Sequence, residues 1–181
     1  MNPAQSNHYL LDVWAMVYAA LGEAALPPLG LSPADLDAVL TVEPTVLQGW
    51  AEQADSIVRP RPGLLPALQA NDQDLIATFL ALAHGANPCA AATDLFRLAN
   101  RQLLALWQQA SGDDEQAEHM ALSSADRAAL AAADEVTLCH WMRLPITLAE
   151  PRPGLLPALM AREEPQLTAF LASLSPADPP R

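Results

Sequence analysis

Lysine is absent from this 181-residue chain: its nine basic residues are all arginine, set against 21 Asp and Glu for a net charge of −12. That absence excludes Schiff-base catalysis, a phosphate-loop lysine and a lysine-rich nucleic-acid patch. A chain with a pI near 4.4 repels phosphates, so a charged partner is expected to be basic. Glycine is scarce and β-branched residues are sparse, while Ala and Leu dominate. Such a composition favours helices and argues against sheet. Cysteine is limited to Cys89 and Cys139. Long apolar runs are missing too: the longest nearly pure one, Leu75 to Ala83, is far short of a membrane span. Met1 to Asn7 carries no Arg, so no secretory signal is expected. A bacterial cytoplasmic protein is the simplest reading, with the Ala/Arg/Pro bias and missing Lys pointing to a GC-rich genome.

What the chain does contain is a duplication. Pro60-Arg61-Pro62-Gly63-Leu64-Leu65-Pro66-Ala67-Leu68 recurs letter for letter as Pro151 to Leu159, 91 positions later. The register extends without a gap on both sides: 20 of the 52 pairs between 31–82 and 122–173 are identical, including Trp50 with Trp141 and Phe79 with Phe170. Trp14 and Trp107 are near-equivalents, offset by two from that register. Identity at a fixed interval marks a tandem architecture. The expected fold is therefore all-α: two tandem repeats of about five helices each, over 1–85 and 86–181, related by a pseudo-twofold like a fused homodimer. Half of the residues are hydrophobic, enough for a real core.

Seventeen prolines must lie at helix starts and connections. The spacing of Leu10, Leu11, Val13, Trp14, Val17, Tyr18 and Leu21 predicts a first helix over His8 to Gly22. Ser32-Pro33-Ala34-Asp35 is a strong helix start, and Pro44 opens the next helix through Leu47 and Trp50. A short helix follows over Leu64 to Leu68, and Asn71-Asp72 caps another containing Leu75, Ile76, Phe79 and Leu80. His84 to Pro88 reads as the linker. The second half is expected to hold a long helix over Ala90 to Ala110, with Leu95, Leu98, Leu103, Leu106 and Trp107 on its stripe. An acidic loop, Ser111 to Glu118, comes next, then short helices from Ser124 and Asp134. The plan ends with a last helix over Leu167, Phe170, Leu171 and Leu174 and a frayed tail over 175–181.

Candidate chemistry is thin. Arg61 and Arg152 are the basic residues kept in both halves, each fixed between two prolines. As a structural corner, the two prolines restrict the chain, the glycine permits the turn and the leucines fill the core. As a docking surface, Arg61, Leu64 and Leu65 with Arg152, Leu155 and Leu156 would grip a partner, the guanidinium taking a carboxylate bidentately. Trp50, Trp141, Phe79 and Phe170 are the expected core anchors. Cys139 and His140 point about 100° apart on a helix, and neither Cys89 nor His119 has paired-ligand spacing, so no metal site is expected. The four His residues have no counterparts across the repeat, so no duplicated active site emerges. The run Asp113-Asp114-Glu115 with Glu118 reads as solvated loop.

Leu31 to Glu52 and, more loosely, Leu122 to Arg143 are similar in pattern to the helix-turn-helix of small bacterial repressors. The chain departs from that pattern where Thr41 replaces the usual turn glycine, and Pro44 to Glu52 holds no Arg, Lys or Asn to reach a base edge. The expectation is therefore a non-enzymatic adaptor or chaperone-like accessory subunit with an acidic surface and no cofactor. It would hold a basic or amphipathic helical segment of a protein partner in an apolar groove at the pseudo-twofold seam or the Pro-rich corners, and act as a monomer or weak homo-oligomer. The alternative is a transcriptional regulator with degenerate helix-turn-helix motifs acting beside a basic partner.

Overall fold

The computed structural model describes residues 3–52, 55–83 and 90–161. It is mostly helical, and the long helices α1 (Pro3–Leu21) and α7 (Ala90–Ser111) pack against each other as its spine. Leu10, Val13, Trp14 and Val17 recur at helical spacing on the buried face of α1. On α7 the same geometry buries Phe96, Ala99, Leu103, Leu106, Trp107 and Ala110. Leu98, expected on that stripe, points outward instead. The stretch Pro3–Leu29 has the length and mean hydropathy, 1.3, of a membrane-crossing helix, which the shorter run at Leu75 did not suggest. A third of that apolar stretch is buried, and the inward stripe of α1 supplies the centre of the core.

Most of the shorter helices begin where a side chain accepts a free N–H of the first turn or where a proline removes one. A 3-10 turn (Gly22–Ala25) leads into α2 (Leu26–Leu29), followed by α3 (Pro33–Thr41), α4 (Pro44–Ala51), α5 (Leu64–Ala70) and α6 (Gln73–Ala81). After α7 come α8 (Asp114–His119), α9 (Ser124–Ala132), α10 (Glu135–Trp141) and α11 (Leu155–Ala161). Ser32 with Asp35 and Ser123 with Asp126 each form a reciprocal capping box, 91 positions apart. Asp72, Asp113 and Asp134 accept from the backbone N–H three residues on. Asp113 thereby turns the expected acidic loop into α8, whose first turn carries Asp114 and Glu115 against the positive helix end. The expected linker around His84, together with Cys89 and the terminal stretch containing Phe170, lies outside the described residues.

The expectation of helices alone needs one correction: β1 (Val58–Pro60) and β2 (Ala149–Pro151) form a two-stranded antiparallel ladder. Its central pair is Arg59 with Glu150, flanked by Val58 with Pro151 and Pro60 with Ala149. Residue 150 lies 91 after 59, so the middle of the ladder joins the two positions that the sequence register equates. The Arg61 N–H donates to the Leu148 carbonyl and the Arg152 N–H to the Ile57 carbonyl, at 2.9 and 3.0 Å. Both strand prolines fall on the alternating positions, where an antiparallel ladder needs no donor. The helices interleave across the same line: α5 packs on α9, and α11 packs on α3.

Candidate functional site

The corner residues proposed as a docking surface lie inside the protein. Arg61 is 4% exposed and Arg152 3%, while Leu64, Leu65, Leu155 and Leu156 all belong to the hydrophobic core. The Arg61 Nε donates to the Thr147 carbonyl at 2.8 Å, and its Nη2 donates to the carbonyls of Pro27 and Pro28 at 3.0 and 2.7 Å. Arg152 Nη2 donates to the carbonyls of Glu118 and His119 at 3.5 and 2.6 Å. These acceptors are again 91 apart: each arginine closes the open carbonyl end of a short helix, α2 or α8. In place of the partner carboxylate of the docking reading, the Arg61 guanidinium meets internal carbonyls, as the structural-corner reading has it. Burial lowers the Arg61 pKa to about 10 against the opposing pull of Glu150, so the group is still a cation at neutral pH. Burial also lowers that of Arg152, with Asp55 opposing and Arg59 adding to the fall.

Gly63 and Gly154 adopt φ of +79° and +73°, the left-handed turn that aims each following helix into the core. Trp50 and Trp141 are each 3% exposed within the core. Phe79 is half-buried against it. Sequence reasoning passed over Asn7 and Asn100, both fully buried. Asn7 takes the Ile57 N–H and donates to the Asp55 carbonyl, and Asn100 takes the Leu148 N–H and donates to the Ile146 carbonyl. The offset of 93 between Asn7 and Asn100, matching that of Trp14 and Trp107, was the available signal.

Away from these corners an open cleft of about 790 Å³ lies between α7 and α10. Leu98, Leu104, Ala105, Leu138, Cys139 and Met142 supply its apolar lining. Arg97, Arg101 and Arg143 gather on it together with Asp94, Glu135 and Gln108. Arg97 and Asp94 form an i,i+3 ion pair at 3.2 Å. Arg101 and Arg143 are exposed and have no ion-pair partner among the described residues. The corresponding helices of the first half, α1 and α4, pack closely, whereas α10 approaches α7 much less. Ala4 and His8 stand where Arg97 and Arg101 do, by the 93-residue offset of the long helices. Two long, charged side chains therefore replace a small and a shorter one on the helix face that borders the cleft.

A smaller cavity of about 250 Å³ is bordered by Leu106, Met120 and His119. His119 Nδ1 pairs with Asp55 across the chain, and Nε2 lies 3.9 Å from Glu115. Among the described residues no three His, Cys, Asp or Glu side chains gather as metal ligands. Cys139 is half-buried on the cleft wall, and His140, next to it, is exposed. Compared with protein-family models, with curated proteins and with solved structures, the chain matches none.

Proposed function

We propose that this chain is a non-enzymatic, protein-binding adaptor or chaperone-like accessory subunit of the bacterial cytoplasm that holds an amphipathic helix in the cleft between α7 and α10. One observation carries the reading: the cleft is open, carries an apolar strip between charged edges, and presents Leu98 with 44% of its surface exposed. A contiguous apolar strip open to water and rimmed by charged side chains marks an interaction surface, which a single exposed leucine would not. Along α7 the lining runs from Asp94 to Gln108, roughly 21 Å at about 1.5 Å per residue, the length of about four helical turns. We also propose that the scaffold is a pair of tandem helical units related by a pseudo-twofold axis through the Arg59–Glu150 pair. The hydrogen bonds that recur at 91 residues support it.

No observation favours the DNA-binding alternative. The second helix of the α3–α4 pair contains no Arg, and Trp50 directs its bulk inward. Affinity capture from the host with the wild-type chain and with Leu98→Glu tests the adaptor reading. Because Leu98 is exposed, the variant is expected to melt like the wild type and to lose a protein that the wild type retains. Recovery of the same proteins by both chains, at equal yield, overturns the reading.

A further inference from the structure

We infer that the segment this cleft takes is an amphipathic helix with an acidic edge, an inference that rests on the adaptor reading above and deepens it. The chain carries nine arginines against 21 acids, yet three of the nine line this one cleft, with only Asp94 and Glu135 opposing them. Asp94 is already engaged by Arg97. Glu135 lies in the first turn of α10, where the positive end of the helix offsets its charge. That leaves Arg101 and Arg143 as unengaged cations, one on each wall, beside an apolar floor.

Long-range electrostatics opposes this preference, because the whole molecule at −12 repels an acidic segment at a distance. The preference is therefore local. Acidic side chains flanking the apolar stripe of a bound helix would meet Arg101 and Arg143 at contact, where the guanidinium fork takes a carboxylate bidentately. The same edge built from lysine would face two like charges and gain only the carboxylates of Asp94 and Glu135. The expectation from composition, a basic partner, is thus reversed at this cleft.

The test uses the full chain and three helical peptides of about four turns sharing one Leu/Met stripe, edged with Glu, Gln or Lys, read by fluorescence anisotropy. The Glu-edged peptide is expected to bind about tenfold more tightly than the Lys-edged one at about 0.15 M salt. There a Debye length of about 8 Å damps the repulsion of the whole molecule and leaves contact pairs, and the gap is expected to close at about 1 M. In the double variant Arg101→Glu/Arg143→Glu, which removes no internal bond, the order is expected to invert. Equal affinity of the three peptides, or an order unchanged by the double variant, overturns the acidic-edge inference and leaves the groove reading standing. Binding of none of the three overturns both.

Discussion

Arg61 directs three hydrogen bonds to the carbonyls of three different residues, those of Pro28 and Thr147 buried and that of Pro27 part-buried. No other side chain reproduces that fork, because a lysine ammonium is a single compact donor centre. Removing the guanidinium strips the Thr147 carbonyl of its donor, about 1–3 kcal/mol for a buried group left unsatisfied, while the carbonyls of Pro27 and Pro28 keep the N–H groups of Gly30 and Thr147. With the packing of the buried side chain lost as well, Arg61→Ala is expected to destabilise the protein by about 2–4 kcal/mol and Arg61→Lys by less, read as loss of urea midpoint at constant slope. A midpoint within error of wild type for Arg61→Ala would show that the corner is not held by this residue. A second residue-scale contrast concerns Gly30 and Ala121, 91 apart, which both adopt left-handed backbone with φ of +76° and +52°. A Cβ on Gly30 would lie 3.0 Å from the Glu150 Cβ and 3.1 Å from both the Ala149 oxygen and Arg61 Nη2. Gly30→Ala therefore adds crowding to strain and is expected to cost about 1–3 kcal/mol. Ala121→Gly relieves strain and is expected to stabilise by about 0.5–1 kcal/mol. Melting shifts of the same sign for the two substitutions would contradict this account.

At the scale of elements, helices with local punctuation were legible in the sequence. Ser32-Pro33 with Asp35, Asp72, and Asp134 each announce a start within four residues, and the structure begins helices there. The ladder was not legible, because β1 and β2 are three residues long, each contains a proline, and each is specified only by its distant partner. The cleft was equally hidden. It depends on how far α10 stands from α7, and no spacing within either helix encodes that distance. Arg97 and Arg101 were visible as charges, but only the facing wall with Arg143 makes them a group. The matched tryptophans, by contrast, were read from register alone, and both are buried. Trp50 secures α4, which packs on α1, and Trp141 secures α10, the cleft wall. Trp50→Ala and Trp141→Ala are each expected to cost about 3–5 kcal/mol in thermal or urea unfolding. A cost below about 1 kcal/mol at either position would remove that tryptophan from the core anchors.

Across the whole molecule, the contacts that close the core are exchanged between the two halves. The first half contributes α5 to α9, and the second contributes α11 to α3. Ser56 N–H donates to the His119 carbonyl and Thr147 N–H to the Pro28 carbonyl, both at 2.9 Å, so each half also ends the other's short helix. Cut apart, either half would expose the fully buried Leu64 and Leu65 or Leu156, and would lose its side of the ladder. Burying one such side chain contributes about 1.5–3 kcal/mol, and several are lost at once, against a total stability of about 5–15 kcal/mol for a domain. Neither 1–85 nor 86–181 expressed alone is therefore expected to fold. Mixed in equal amounts, they are expected to recover helical circular dichroism with a midpoint that rises with concentration, as an obligate heterodimer does. The intact chain should show one cooperative transition, with circular dichroism and tryptophan fluorescence coincident. A cooperative melt from either half alone would show that the exchanged helices are an embellishment of two self-sufficient domains, and the pseudo-twofold scaffold would lose its physical basis.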